Sequence, residues 1–434
     1  MGKENQMKKG IITFLKEPLI YVILICILFQ IKIYKSVPEY VMTPDSTTYI
    51  QYTQNIFEGQ VNSSRTPVYP YFIKAIKKIG GEEFLGRNVT MMQKLLFIAT
   101  LILFYYTLKM VTKNKLVLTF FTLLFGICPY IILWNVTILT EALSLFEMVG
   151  LAFITLWYLK RPNPILAGSI GLVVFIMIMT RPSFIYLLPI YLFFWILRFF
   201  LNRKERMNNL IGTGSCLLCT LLLLGFCGLM KAQYGEFSLT AISYVNQLIS
   251  AVDSDAYHSA NNPEMIQIVD EVTGDRTEEK ASWDAYNALK DVYSVKQLKE
   301  FASSSIMNSP NYKNYIINKT IRIGYLDIGT NYVEHKDFAN DLSNSSKNYK
   351  YLGHLLLPIN FAIVYILIGI AIIYLIWYVI KYKKINWEVA FLTVMILANL
   401  ATLIIGAPFE PERLFLASIP CVLLLIAYPI RRKE

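Results

Sequence analysis

The stretch ILAGSIGLVVFIMIMTRPSFIYLLPIYLFFWILRFF, residues 165–200, decides how this chain is read. It is too long and too apolar for one helix of a soluble core. About 20 apolar residues cross a bilayer, and Arg181-Pro182 divides the run near its midpoint. Proline suits the first turn of a new helix. The run therefore predicts two membrane spans, Ile165–Thr180 and Ser183–Phe200, joined by a tight turn.

Working outward, the same criterion marks Pro18–Tyr34, Met91–Val111, Leu116–Trp134, Leu139–Leu159, Leu210–Met230, Leu355–Ile380, Trp387–Gly406 and Leu414–Ile430. The expected fold is an all-α polytopic membrane protein with about ten transmembrane helices. Composition agrees: of 434 residues, 55% are hydrophobic and only 16% charged, where soluble domains carry about 25% charged. A string of water-soluble domains is excluded. The first span follows Lys3, Lys8, Lys9 and Lys16 but lacks a small-residue cleavage site, which predicts an uncleaved anchor. All six cysteines lie in apolar runs, so neither a disulfide framework nor a metal site is expected from them.

Lys and Arg mark cytoplasmic loops. With an inside N-terminus, the inside connections are Thr112–Lys115, Lys160–Asn163, Asn202–Asn209, Lys381–Lys384 and the tail Arg431-Arg432-Lys433, and each is basic. The short outside turns hold only Arg181 and Arg413. Both termini are thus expected inside. Trp134, Trp157, Trp377 and Trp387 fall where aromatic belts form. The net charge of +11 follows the same logic: the external Lys231–Gly353 segment is −4, leaving +15, mostly in inside loops and tails. That is an orientation signal and an attraction to membrane lipids, with no nucleic-acid partner implied.

Three regions follow. Residues 1–230 form an N-terminal membrane region of seven spans, with a first external loop at 35–90. Residues 231–353 form a small, mostly helical external domain. Residues 354–434 form a C-terminal membrane region of three spans. In the first loop, Tyr49, Tyr52, Ile56 and Phe57 give an amphipathic helical face over Ile50–Gly59, and Tyr69–Ile79 gives a second amphipathic helix stopping at Gly80-Gly81. In the external domain, Pro263–Val272 and Glu278–Phe301 show helical periodicity. Asn311–Tyr325 reads as a helix on the membrane surface.

The polar residues at the outer ends of the spans carry the chemistry. Asp45 sits just beyond the first span, where it can cap a helix or accept a proton from a hydroxyl. Glu141 opens the fourth span, and Glu147 lies inside it, where an ionisable group is a functional candidate. Arg65, Arg181 and Arg413 offer bidentate forks for a phosphate. Tyr49 and Tyr69 flank the loop, and His354 borders the eighth span. No phosphate loop, nucleophile elbow or nucleotide fingerprint occurs, and the inside loops are too short to form a sugar-nucleotide domain.

Asp45-Ser-x-x-Tyr49 after the first span, and Arg65-x-Pro-x-Tyr69-Pro70 opening the next helix, resemble the first external loop of the glycosyltransferase-C superfamily. The likeness is strongest to bacterial relatives of dolichyl-phosphate-mannose protein mannosyltransferases. Thr140-Glu141, Thr180-Arg181-Pro182 and Glu412-Arg413-Leu414 with Pro420 are similar to that family too; the Lys231–Gly353 segment is not. The resemblance implies transfer of a hexose or pentose from a polyprenyl-phosphate carrier to a glycan, lipid or protein acceptor of the cell envelope. It implies Asp45 as base or as ligand of a divalent cation. Many relatives have two adjacent acidic residues here, and Ser46 departs from that, favouring the base. The other classes considered are a transporter or flippase for lipid-linked saccharides, which should show internal repeats, and an oligosaccharide polymerase or ligase, which should show several arginines in external loops.

Overall fold

The structure is a computed structural model that describes residues 18–274, 279–326, 360–407 and 410–430. His354, the N-terminal lysines and the basic tail lie outside the described residues. Among those described, the chain is helical, and an isolated β-bridge joins Val41 to Thr137.

The helices are α1 (Pro18–Tyr34), α2 (Pro44–Ile50), α3 (Val68–Gly80), α4 (Leu85–Val111), α5 (Lys115–Gly126), α6 (Pro129–Trp134), α7 (Glu141–Lys160), α8 (Pro164–Thr180), α9 (Leu187–Leu201) and α10 (Arg206–Tyr234). An outer group follows, α11 (Ile242–Asp253), α12 (Pro263–Thr273), α13 (Glu279–Lys290), α14 (Val295–Asn308) and α15 (Pro310–Gly324). The chain ends in α16 (Phe361–Tyr382), α17 (Trp387–Gly406), α18 (Pro411–Phe415) and α19 (Ile419–Ala427).

Among the described residues, six apolar segments are long enough to cross a bilayer: α4, α7, Pro182–Leu201 (which contains α9), Arg203–Tyr234 (which contains α10), α16 and α17. Helices α1, α5 and α8 are apolar but shorter. The remaining differences from the sequence reading have local causes. The Leu116–Trp134 run breaks after Gly126 because Cys128 is extended before Pro129, the conformation a following proline imposes. The final run breaks into α18, a 3-10 turn at Leu416–Ser418, and α19. Helix α19 is buried on nearly every side, so its uniform hydrophobicity reflects a place inside the bundle.

The bundle is bound mainly by α4 against α7 and by the α7–α8–α10–α9 series. Close approach there depends on small residues. A Cβ on Gly171 would collide with Ser215, and one on Gly212 with the Trp195 ring.

Between α1 and α3, α2 ends at Ile50, and a separate 3-10 turn covers Ile56–Glu58. The single helical face expected from Tyr49, Tyr52, Ile56 and Phe57 is thus divided. The Asn55 side chain accepts from the Phe57 N–H at 3.1 Å, and the Tyr71 hydroxyl accepts from the Ile56 N–H at 2.8 Å. Such bonds compete with helix continuation, and Phe57 is left exposed. Helix α3 stops as expected, with Gly81 at φ +78°.

The outer group encloses its own apolar cluster around Leu248, Ile249, Met265, Leu289, Leu298 and Phe301. The periodic stretch 278–301 is two helices, because Ser294 starts α14 with a capping box to Gln297. This group docks on the loop after α17: Asn246 donates to the Gly406 carbonyl at 3.3 Å and Lys319 to that of Ala407 at 2.5 Å. Burial pushes the Lys319 ammonium down to about 8, against the pull of Asp253. The undocked lysine binds a proton more tightly, so docking should strengthen as pH rises from about 8 towards the free-lysine value. Amide exchange of α15 should slow over that interval in the native chain and become pH-independent, after correction for intrinsic exchange, in Lys319→Met.

Candidate active site

Asp45 owes its place to its neighbours. Thr43 caps α2, its hydroxyl accepting from the Ser46 N–H at 3.3 Å while the Ser46 hydroxyl accepts from the Thr43 N–H at 2.9 Å. The N-cap is therefore Thr43, and Asp45 stands in the first turn with its carboxylate free for other work. Ser46 has a structural use, as the return arm of this capping box. Just upstream, the Val41 N–H donates to the Val136 carbonyl at 2.8 Å and the Ile138 N–H to the Val41 carbonyl at 3.1 Å. That bridge fastens the approach to α2 against the loop that leads to Glu141.

Arg65 closes over Asp45 from the far end of the loop. It donates to Asp45 Oδ1 at 2.6 Å and to Thr48 Oγ1 at 2.7 Å, and its guanidinium lies 4.5 Å from the centre of the Tyr49 ring. Tyr49 packs edge-on against Tyr69, centroids 5.0 Å apart. Tyr69 is fully buried and donates to Gln93 Oε1 at 2.6 Å, while the Gln93 amide donates to the Asn135 and Thr137 carbonyls at 3.1 and 2.8 Å. Tyr69 thus stands behind the site and braces it. Burial raises the pKa of both tyrosines, so they remain neutral donors.

Glu141 lies in the first turn of α7, where the helix dipole favours a negative charge, and its side chain is only 3% exposed. Arg413 donates to its Oε1 at 2.6 Å and Arg181 approaches the same oxygen at 3.5 Å; Oε2 has no hydrogen-bond partner. Arg413 also donates to Glu410 at 2.7 Å, lies 3.8 Å from Asp45 Oδ2, and sits 5.6 Å from the Trp134 ring centre. Glu410 reaches it from a left-handed backbone, φ +54°, a conformation that is costly for a side-chain-bearing residue.

The two guanidiniums differ electrostatically. Burial acts to lower the pKa of each. For Arg413 this is outweighed by Glu141 and then Glu410, and the value is raised; for Arg181 burial prevails over Glu141, and the value is lowered. Arginine stays protonated regardless, so the contrast means that Arg181 is the less compensated cation.

Asp45, Tyr49, Arg65, Glu141, Arg181 and Arg413 therefore converge, from α2, the first loop, α7, the α8–α9 turn and α18. Glu147 lies deeper, where the Thr180 hydroxyl donates to its Oε1 at 2.6 Å, and Oε2 has no partner. It meets the site indirectly, through the residue preceding Arg181. Two contributors escape sequence reading. Gln93 carries no motif, although a glutamine within an apolar helix is a usable signal, whereas Glu410, three residues before Arg413, is one of the two glutamates the sequence offers it as a partner. Trp134, expected in an aromatic belt, is buried under Arg413.

A divalent cation fits this donor set poorly. Asp45 and Glu141 are each engaged by guanidinium groups, and among the described residues no three Asp, Glu, His or Cys side chains group closely enough to hold an ion.

No protein-family profile and no curated protein sequence matches the chain. Its fold does match solved structures. The oligosaccharyltransferase of Archaeoglobus fulgidus, tethered to an acceptor peptide, superposes with a TM-score of 0.50 at 13% identity, over 96% of this chain and 50% of that one. The same organism's oligosaccharyltransferase AglB, solved with an inhibitory peptide and a dolichol-phosphate, matches at TM-score 0.50 and 11% identity over the same shares. The chain thus spans about half the length of these neighbours. The likeness is one of fold: the helical architecture of this chain is that of the part of these archaeal proteins it covers.

Proposed function

We propose that the protein transfers a sugar from a polyprenyl-phosphate donor to a hydroxyl of a cell-envelope glycan, lipid or protein, at the outer membrane face. The Lys/Arg bias of the loops supports that orientation, with about ten crossings and both termini in the cytoplasm. One observation carries the reading: a half-exposed carboxylate, Asp45, is held by the nearly buried Arg65 and approached by Arg413, which with Arg181 is anchored on the buried Glu141. Asp45, 44% exposed, is the carboxylate an acceptor can reach. It takes the acceptor's proton as the acceptor oxygen bonds to the sugar's anomeric carbon. The bond from that carbon to the phosphate oxygen breaks, and polyprenyl phosphate leaves with the electron pair.

The arginines meet the charge of the leaving phosphate. Arg181, the less compensated of the two around Glu141, is the principal phosphate ligand, and Arg65 and Arg413 complete the cradle. The archaeal neighbours were solved with an acceptor peptide and with a dolichol-phosphate, which supports a lipid-phosphate carrier and an acceptor meeting on this fold. The segment 231–353, which the Lys/Arg bias of the loops puts outside the membrane, is assigned to acceptor recognition.

Purified protein supplied with synthetic polyprenyl-phosphate hexoses and pentoses should release polyprenyl phosphate from one of them in the presence of cell-envelope acceptors. No release from any member would defeat the reading. Arg181→Ala should weaken donor binding about 10- to 100-fold, the worth of a charged hydrogen bond. An unchanged donor affinity would remove Arg181 from its role.

A further inference from the structure

A cavity of about 940 Å³ opens at the opposite end of the bundle, within the roughly 300–1,000 Å³ range of small-molecule sites. Its apolar walls come from α16 and from the end of α19, among them Leu367, Ile370, Ala371 and Leu425. Its rim carries Lys109 and Lys113 at the end of α4 and Lys160 at the end of α7, and no carboxylate lines it among the described residues. Lys160 is partly engaged, with Glu388 at 3.7 Å and the Met110 carbonyl; Lys109 lies over the Tyr105 ring at 5.9 Å, and both Lys109 and Lys113 reach solvent.

The cavity is separate from the proposed active site. Phe361, at the start of α16, packs on Phe415 of α18, the helix of Arg413. The cavity begins farther along α16 and reaches Tyr374, about 20 Å from Phe361 at 1.5 Å per residue. Helix α16 is the least enclosed of the six long apolar segments, so a molecule can enter sideways from the bilayer. An apolar slot open to lipid and ringed by cations at one end matches one chemistry: an anionic headgroup at the membrane surface with its chains in the slot. Basic pockets between membrane helices on the cytoplasmic side bind such headgroups.

We propose that this cavity is a binding site for one anionic phospholipid of the leaflet opposite the active site, with its phosphate held by Lys109 and Lys113 and an acyl chain along Ala371 and Leu425. The occupant is a membrane phospholipid and not the sugar donor, whose phosphate belongs about 20 Å away.

Native mass spectrometry of the full chain in neutral detergent, titrated with phosphatidylglycerol or phosphatidylcholine, tests this without an activity assay. One phosphatidylglycerol should bind, at least about tenfold more tightly than phosphatidylcholine. Lys109→Gln/Lys113→Gln should abolish that preference, and Lys109→Arg/Lys113→Arg should keep it. Ala371→Trp should lose the bound lipid with every lysine in place. If Ala371→Trp binds phosphatidylglycerol normally, the lysines merely attract lipid diffusely and the proposal fails. It fails equally if polyprenyl phosphate displaces the lipid at lower concentration than phosphatidylglycerol itself, because the slot then serves the carrier. These outcomes are independent of whether the protein transfers sugar.

Discussion

Asp45→Asn is expected to lose sugar transfer by about 100- to 10,000-fold, the usual worth of a positioned general base, while inserting and binding donor almost normally. The substitution keeps the shape of the side chain and an oxygen that can accept from Arg65, so α2 and its Thr43–Ser46 cap have no reason to change. What disappears is the ability to accept the acceptor's proton. Glu141 cannot substitute, because its side chain is 3% exposed and its bonded oxygen is held by Arg413 and approached by Arg181. Single-turnover transfer and donor binding should be measured on the same preparation. Normal transfer by Asp45→Asn would exclude the base role; loss of transfer together with loss of donor binding would reassign Asp45 to holding Arg65 in place.

Glu141→Ala should cost about 3–5 kcal/mol of stability, because removing one partner of a buried ion pair leaves the other charge uncompensated. Here one carboxylate serves two buried guanidiniums. Arg413 keeps Glu410, whereas Arg181 loses the ion-pair partner it has among the described residues. Glu141→Gln should cost less, since its amide oxygen can still accept from Arg413. Denaturant titration of the two variants in detergent supplies the check. Equal stability of Glu141→Ala and the native chain would show that the arginines do not depend on this carboxylate.

Much of the site was legible because it breaks a statistical rule for a physical reason. Cations are disfavoured in short outer turns, so Arg181 and Arg413 stand out there, and the structure brings both to Glu141. Asp45 and Arg65 were legible through the loop motif. What stayed hidden is contact between segments with no shared periodicity. Gln93 joins Tyr69 to two carbonyls about forty residues onward. The fold was read well as a class and less well in detail. Hydropathy sees apolar length, but it cannot tell a lipid-facing helix from α19, which is enclosed by its neighbours.

The Val41 bridge has an evolutionary consequence. Asp45 and Glu141 come from loops about a hundred residues apart, yet the two backbone hydrogen bonds beside them do not depend on side-chain identity. Substitutions at Val41 or Ile138 can accumulate while the spacing of Asp45 and Glu141 persists, and only proline there removes a donor N–H. The neighbouring loops can then diversify around a spacing to which main chain contributes independently of side-chain identity.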